Sequence, residues 1–174
     1  MEGLGRLFDF GLAWAPVDLD AADGATGKRV SLAKASAVTF LIATGVGPAS
    51  DVTYDVQQHD AYTSGTSADL DVVTHYYIKA ETALDNDEAW VEVTQTAASE
   101  CVVVGATYGA MQTIVVIHVD AAQLSDGYGW VSLVATAANG TAHLASCIYV
   151  LHDLAVQRKP TNLGNLLQPG AANA

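Results

Sequence analysis

Apolar and polar residues alternate along most of this chain, in short blocks that glycine, aspartate, asparagine and serine separate. In residues 51–56, for example, Val52, Tyr54 and Val56 alternate with polar neighbours. A period of two places apolar side chains on one face of a β-strand and polar side chains on the other. The pattern predicts these strands: Leu12–Val17, Val30–Leu32, Ala37–Thr44, Val52–Gln57, Val72–Ala80, Ala89–Thr94, Cys101–Gly105, Gln112–Val119, Gly129–Ala135 and Ala142–Leu151.

Two of these blocks, Ala37–Ala43 and Ile114–Ile117, are apolar on both faces. Such strands lie in the middle of a sheet, where a second sheet or a neighbouring subunit covers them. Short strands with glycine-rich turns are typical of antiparallel sandwiches and barrels. We therefore expect an all-β protein, an antiparallel β-sandwich that is jelly-roll-like. Asp120–Leu124 is predicted to be a helical connector, and residues 62–71 and 80–88 are predicted to be polar loops.

Composition and charge narrow the class of protein. The 174 residues suit one domain, and 51% hydrophobic residues with 15% charged residues indicate a packed globular body. The formal net charge is −12, which would repel a phosphate backbone, so we expect no nucleic acid partner. Apolar runs are too short to cross a bilayer as helices, and we expect no membrane partner. Glu2, Arg6 and Asp9 interrupt the start of the chain, which therefore does not resemble a secretory signal.

Basic residues concentrate at the two ends of the chain. Residues 35–157 contain fourteen acidic residues and only one basic residue, Lys79. The two ends lack a clear strand alternation, and the C-terminal segment is rich in proline and glycine. This pattern predicts an extended N-terminal arm with the first strands over residues 1–34, a sandwich body over 35–157 and an extended C-terminal arm over 158–174. We expect the arms to hold a partner through Leu4, Arg6, Leu7, Phe8, Phe10, Leu12, Trp14, Arg158, Lys159, Leu163, Leu166 and Leu167.

Candidate chemistry is sparse. The five histidines show no metal-ligand spacing, and the strongest local pair, His118 with Asp120, is interpreted as a polar pair on one strand. The acidic residues Asp85, Asp87 and Glu88 lack the spacing of a calcium loop and are interpreted as solvated. Nucleophile elbows and phosphate-binding loops do not occur. We therefore expect no enzyme, no catalytic residues, no bound metal and no cofactor.

The C-terminal half of the chain contains three successive apolar segments: VVIHVDAAQL from Val115, GYGWVSLV from Gly127 and LASCIYVLHDL from Leu144. This succession resembles capsid decoration or minor capsid (head) proteins of tailed bacteriophages, over roughly residues 38 to 155. The resemblance implies a structural virion protein that is made in the host cytoplasm and binds the outer surface of the capsid. It would cement neighbouring capsomers by binding the major capsid protein and other copies of itself, as a trimer or dimer.

Two other functions remain open at this point. Jelly-roll lectins stack sugars on aromatic residues, and Trp90, Trp130, Tyr54, Tyr76 and Tyr77 could serve a carbohydrate-binding module in that way. A tail or neck protein that forms a ring would share the same composition. Cys101 and Cys147 lie inside apolar strand-like runs, and we expect buried free thiols.

Overall fold

The computed structural model of this chain describes residues 3–20, 24–85, 87–137 and 141–162. Two antiparallel sheets of six strands each, which we call sheet A and sheet B, account for most of these residues. Sheet A consists of β1 (Phe8–Asp18), β4 (Ala37–Thr44), β7 (Val73–Glu81), β8 (Val91–Ala98), β10 (Gln112–Asp120) and β12 (Leu144–His152). Sheet B consists of β2 (Ala25–Thr26), β3 (Val30–Ser31), β5 (Val52–His59), β6 (Ser67–Asp69), β9 (Glu100–Val103) and β11 (Trp130–Thr136).

The strands of the two sheets pair in nested order, the first with the last. β1 pairs with β12, β2 and β3 pair with β11, β4 pairs with β10, and β5 pairs with β9. One long hairpin that rolls up on itself gives this pairing, which is that of a jelly roll. The β7–β8 hairpin is inserted between β5 and β9 and extends sheet A beyond β10. The predicted jelly-roll-like sandwich is therefore confirmed.

One hydrophobic core fills the space between the sheets. Alternate residues of β4 and β10 point into it, as Phe40, Ile42, Val115 and Ile117 show, and each of these is fully buried. Tyr54 of β5 lies opposite in the same cluster. The alternation that predicted the strands therefore also predicted which side chains form the core.

The N-terminal segment is a strand of the sandwich rather than an arm over most of its length. β1 pairs with β12 from Phe8 to Asp18, and Trp14 is only 6% exposed. The register shifts between Leu12 and Trp14 and again between Trp14 and Val17. These bulges break the period-two pattern, which is why the segment did not show the alternation of a strand. The domain boundary predicted at residue 35 is wrong, because β1, β2 and β3 belong to the two sheets.

The described part of the C-terminal segment also lies against its own chain. The Asp153 N–H donates to the Leu7 carbonyl at 3.0 Å, and the Arg158 N–H donates to the Gly5 carbonyl at 2.8 Å. Pro160–Asn162 then form a short 3-10 helix. An extended C-terminal arm is therefore wrong for its first residues, and residues 163–174 lie outside the described part of the chain.

The connecting segments follow the sequence prediction with small differences. Ala121–Gln123 form the expected helical connector, a 3-10 turn with a capping box in which the Asp120 N–H donates to the Gln123 side chain at 2.9 Å. Gly105–Tyr108 form a four-residue α-helix where a strand end was predicted. The predicted loop over residues 62–71 contains β6, a three-residue strand beside β5. None of the helices in the described ranges is long and apolar enough to cross a membrane.

Candidate interaction surface

A row of apolar side chains crosses the outer face of sheet A. Along the strand register the row consists of Leu12, Ile148, Leu41, Val116 and Tyr77. Neighbouring strands lie about 4.8 Å apart, so five strands give the row a width of about 19 Å. Glu92 of β8 lies opposite Tyr77 and ends the row at the sheet edge.

The rows on either side extend this apolar surface. Phe10 and Val150 form one neighbouring pair, and Ala43 and Ile114 form another on the opposite side of the row. Phe10 is 52% exposed and Leu12 is 48% exposed, while Ile148 is 37% exposed. We call the outer surface formed by the row and these two pairs the apolar face. Contiguous exposed apolar surface of this kind marks an interaction site more often than it marks a free surface.

The outer face of sheet B has the opposite character. Asp55 lies between Val134 and Glu100 in the register, and Gln57 lies between Ser132 and Asp69. Three carboxylates and Gln57 thus occupy positions that correspond to apolar ones on sheet A, while Ser132 is buried and its hydroxyl contacts His59. A sandwich whose two outer faces both met water would show this polar pattern on both sheets.

Two histidines lie at one end of the apolar face. The Thr39 hydroxyl contacts His118 Nδ1 at 2.9 Å and His152 Nε2 at 2.8 Å, and the two rings are 5.8 Å apart. His118 Nε2 also contacts Asp120 at 3.2 Å, which confirms that these two side chains share one side of β10. Burial and then the charge of His118 lower the pKa of His152, while Asp153 opposes the shift. These groups are polar and titratable where the surrounding face is apolar.

The predicted acidic loop contains a fourth carboxylate. Glu81, Asp85, Asp87 and Glu88 place one oxygen each within 4.8 Å of one another, and all but Glu88 are exposed. The Glu88 carboxylate already accepts the Asp85 backbone N–H at 2.6 Å. Oxygen ligands of this kind suit Ca²⁺. Because the cluster is open to water and contains no buried ligand, its geometry is that of a solvated acidic loop.

The aromatic residues that could stack on a sugar do not lie together. Tyr54 and Tyr76 are buried, and Tyr62 packs on Trp130 at 5.6 Å between ring centroids. Only Tyr77 and Trp90 of these five candidates share an exposed surface, at one end of the apolar face. Lys79 places its ammonium group 5.1 Å from the centre of the Trp90 ring, which is a cation–π contact.

The predicted arm residues have different locations. Trp14 is part of the core, so its prediction as a partner-binding residue is wrong. Phe10 and Leu12 lie on the apolar face, Leu4 and Phe8 form a bridge in the turn before β1, and Leu7 is exposed. Arg6, Arg158 and Lys159 are exposed near the hydrogen bond from the Arg158 N–H to the Gly5 carbonyl. Leu163, Leu166 and Leu167 lie outside the described residues.

The sequence did not single out Leu41, Val116 and Ile148, and it suggested Tyr77 only as a residue that could stack on a sugar. The signal was present, because β4 and β10 are apolar at outward as well as inward positions. A second sheet covers only one face of these strands, so the apolar outward positions indicate a neighbour outside this chain.

No protein-family model matches the chain, and no curated protein matches it either.

Proposed function

We propose that this chain is a structural virion protein, of the capsid decoration or minor capsid type, that binds the outer surface of a phage shell through the apolar face. The observation that carries the proposal is the apolar row from Leu12 to Tyr77, which no described part of the chain covers. A large flat apolar surface suits a protein partner better than a small molecule, which prefers a concave site. The motif succession in the C-terminal half directs the proposal to a phage shell.

The different outer faces of the two sheets determine the orientation of the bound protein on the shell. Sheet A faces the shell, and the acidic outer face of sheet B, with Asp55, Asp69 and Glu100, faces solvent. Like charge on the outermost layer of a particle opposes clumping. The net charge of −12 thus supports solubility of the decorated particle rather than attachment.

The size of the apolar face indicates that several copies act together. Fully burying a large apolar side chain contributes about 1.5 to 3 kcal/mol, and the five side chains of the row are at most 48% exposed, so burying their exposed parts contributes at most roughly 5 kcal/mol. Association costs about 4 to 15 kcal/mol in lost freedom before any gain appears. One copy would therefore bind weakly, whereas a dimer or trimer on neighbouring capsomers gains affinity from multivalency. This reasoning supports cementing by an oligomer.

The test compares two matched lysine substitutions. Val116 and Val134 are both half-buried, outward-facing residues in the middle of a strand, the first in sheet A and the second in sheet B. Val116→Lys places a charge at the centre of the apolar face, while Val134→Lys places it beside Asp55 on the polar face. We expect Val134→Lys to bind like the unsubstituted protein and Val116→Lys to lose binding.

Binding is measured by co-sedimentation with shells assembled from the major capsid protein without this chain. Circular dichroism and a thermal melt verify that both variants fold. Equal binding of the two variants would show that the apolar face is not the contact. Electron microscopy of whole particles distinguishes a shell position from a tail or neck ring, and specific signal on a glycan array would favour the carbohydrate-binding alternative.

A further inference from the structure

A small cavity inside the sandwich is lined by three of the residues that have buried polar atoms without a partner in the described part of the chain. It lies between the ends of β4, β5 and β10, the loop before β5 and the Gly105–Tyr108 helix, and its volume is about 10 Å³. Ser50, Tyr54 and His143 line it together with the hydroxyl groups of Thr44 and Thr113. The Ser50 Oγ, the Tyr54 Oη and both ring nitrogens of His143 are buried without a hydrogen-bond partner among the described residues.

These orphaned atoms need an explanation, because a buried polar group without a hydrogen bond costs roughly 1 to 3 kcal/mol. Tyr54 is fully buried and His143 is 4% exposed, so bulk water does not reach them freely. By contrast, the hydroxyl of the buried Tyr76 donates to the Val102 carbonyl at 2.8 Å. Three neighbouring side chains with the same deficit point to one shared partner.

The walls of the cavity hold these groups in place. Gly47 lies against the His143 ring so closely that a Cβ there would be 2.5 Å from a ring carbon. The His143 N–H of the backbone donates to Asp18 at 2.8 Å, which fixes the other side of the residue. The Thr44 and Thr113 hydroxyls form a hydrogen bond with each other at 2.7 Å, which uses one of their two hydroxyl hydrogens. These contacts restrict the orientation of the His143 ring.

We propose that this cavity is a binding site for one ordered water molecule, which the Tyr54 hydroxyl, the Ser50 hydroxyl and a His143 ring nitrogen hold. A water needs about 10 to 15 Å³ of such space and two to four polar partners, and the site meets both conditions. Water both donates and accepts, so it suits a neutral imidazole, which offers one acceptor and one N–H donor. Burial lowers the pKa of His143, which keeps the ring neutral near pH 7.

The first test is a crystal structure of the full chain at about 1.8 Å resolution. The expected result is one density peak in the cavity, within about 2.7 to 3.2 Å of Tyr54 Oη and of at least one other polar atom. An empty cavity, or a direct hydrogen bond between Tyr54 and a protein group, would overturn the proposal.

The second test compares Tyr54→Phe with Tyr76→Phe, whose hydroxyl has a known partner. If water satisfies the Tyr54 hydroxyl, both substitutions remove a made hydrogen bond, and each raises the unfolding equilibrium constant about fivefold. If the Tyr54 hydroxyl has no partner, its removal relieves a buried unsatisfied group, and the constant falls for Tyr54→Phe alone. A fall of the unfolding equilibrium constant in Tyr54→Phe therefore contradicts the water site, and this result does not depend on whether the protein binds a shell.

Discussion

Substitution of Trp14 tests whether the N-terminal segment is a strand of the sandwich or a free arm. It is 6% exposed and belongs to the core, although it lies in a segment whose sequence predicts an arm. Replacing a buried aromatic side chain with alanine costs about 3 to 5 kcal/mol, because both burial and a residual cavity contribute. The same change in an exposed arm stays within about 0.5 kcal/mol. We therefore expect Trp14→Ala to lower the free energy of unfolding by at least 3 kcal/mol.

Two further variants isolate the cause of this effect. Leu12→Ala in the same strand removes an outward side chain that is 48% exposed, and we expect a loss of about 1 kcal/mol or less. Trp14→Phe keeps most of the buried ring and removes the indole N–H, which is buried without a partner, so its cost should also be small. Urea unfolding followed by circular dichroism gives all three values. Equal losses for Trp14→Ala and Leu12→Ala would refute the placement of β1 in the core.

Three other predictions concern titratable groups. Burial, and then Arg29, lower the pKa of His59 to about 4, so the unfolded chain takes up a proton that the folded chain excludes. Stability should fall as pH decreases from about 6.5 towards 4, by roughly 1 to 2 kcal/mol because solvent screens part of the interaction, and a urea titration should show a smaller fall in His59→Gln. Burial lowers the pKa of His152. If binding to the shell buries this ring further, protonation of His152 opposes binding, and co-sedimentation should weaken below pH 6. The substitution His152→Gln should reduce that pH dependence. Burial raises the pKa of both Cys101 and Cys147, so Ellman's reagent should label them only after unfolding, and rapid labelling at pH 8 would contradict their placement.

The sequence predicted the sandwich well because its core strands obey period two. From Val52 to Gln57 the alternation is unbroken, and the buried residues are the expected ones, whereas the polar residues Gln58 and His59 at the end of the strand are both buried. In Phe8–Asp18 two bulges shift the register, and the apolar residues before and after them no longer share one periodic face. The interpretation of this segment as an arm failed for that reason. The strand itself is specified by its long-range pairing with β12, which no local pattern reveals.

The candidate surface was only partly predictable. The strands β4 and β10 are apolar on both faces, which indicated that a second sheet or a neighbouring subunit covers each face. In the structure, sheet B covers the inner face of these strands, and their outer face on sheet A is the uncovered one. That Leu12 and Tyr77 lie in one row could not be predicted, because the register between strands that are distant in sequence is set by packing. Phe10 was predicted to hold a partner as an apolar residue of an N-terminal arm, and the structure places it on the apolar face as part of β1.

The nested pairing of the strands also determines the order in which they can pair during translation. β1 emerges from the ribosome long before its partner β12, because all the other strands lie between them in the sequence. Until then the N-terminal strand has an open edge and an unburied indole ring, which are the features that favour aggregation of nascent chains. Sheet A can close only after β12 has been translated, so β1 remains without this partner while the intervening strands are synthesised.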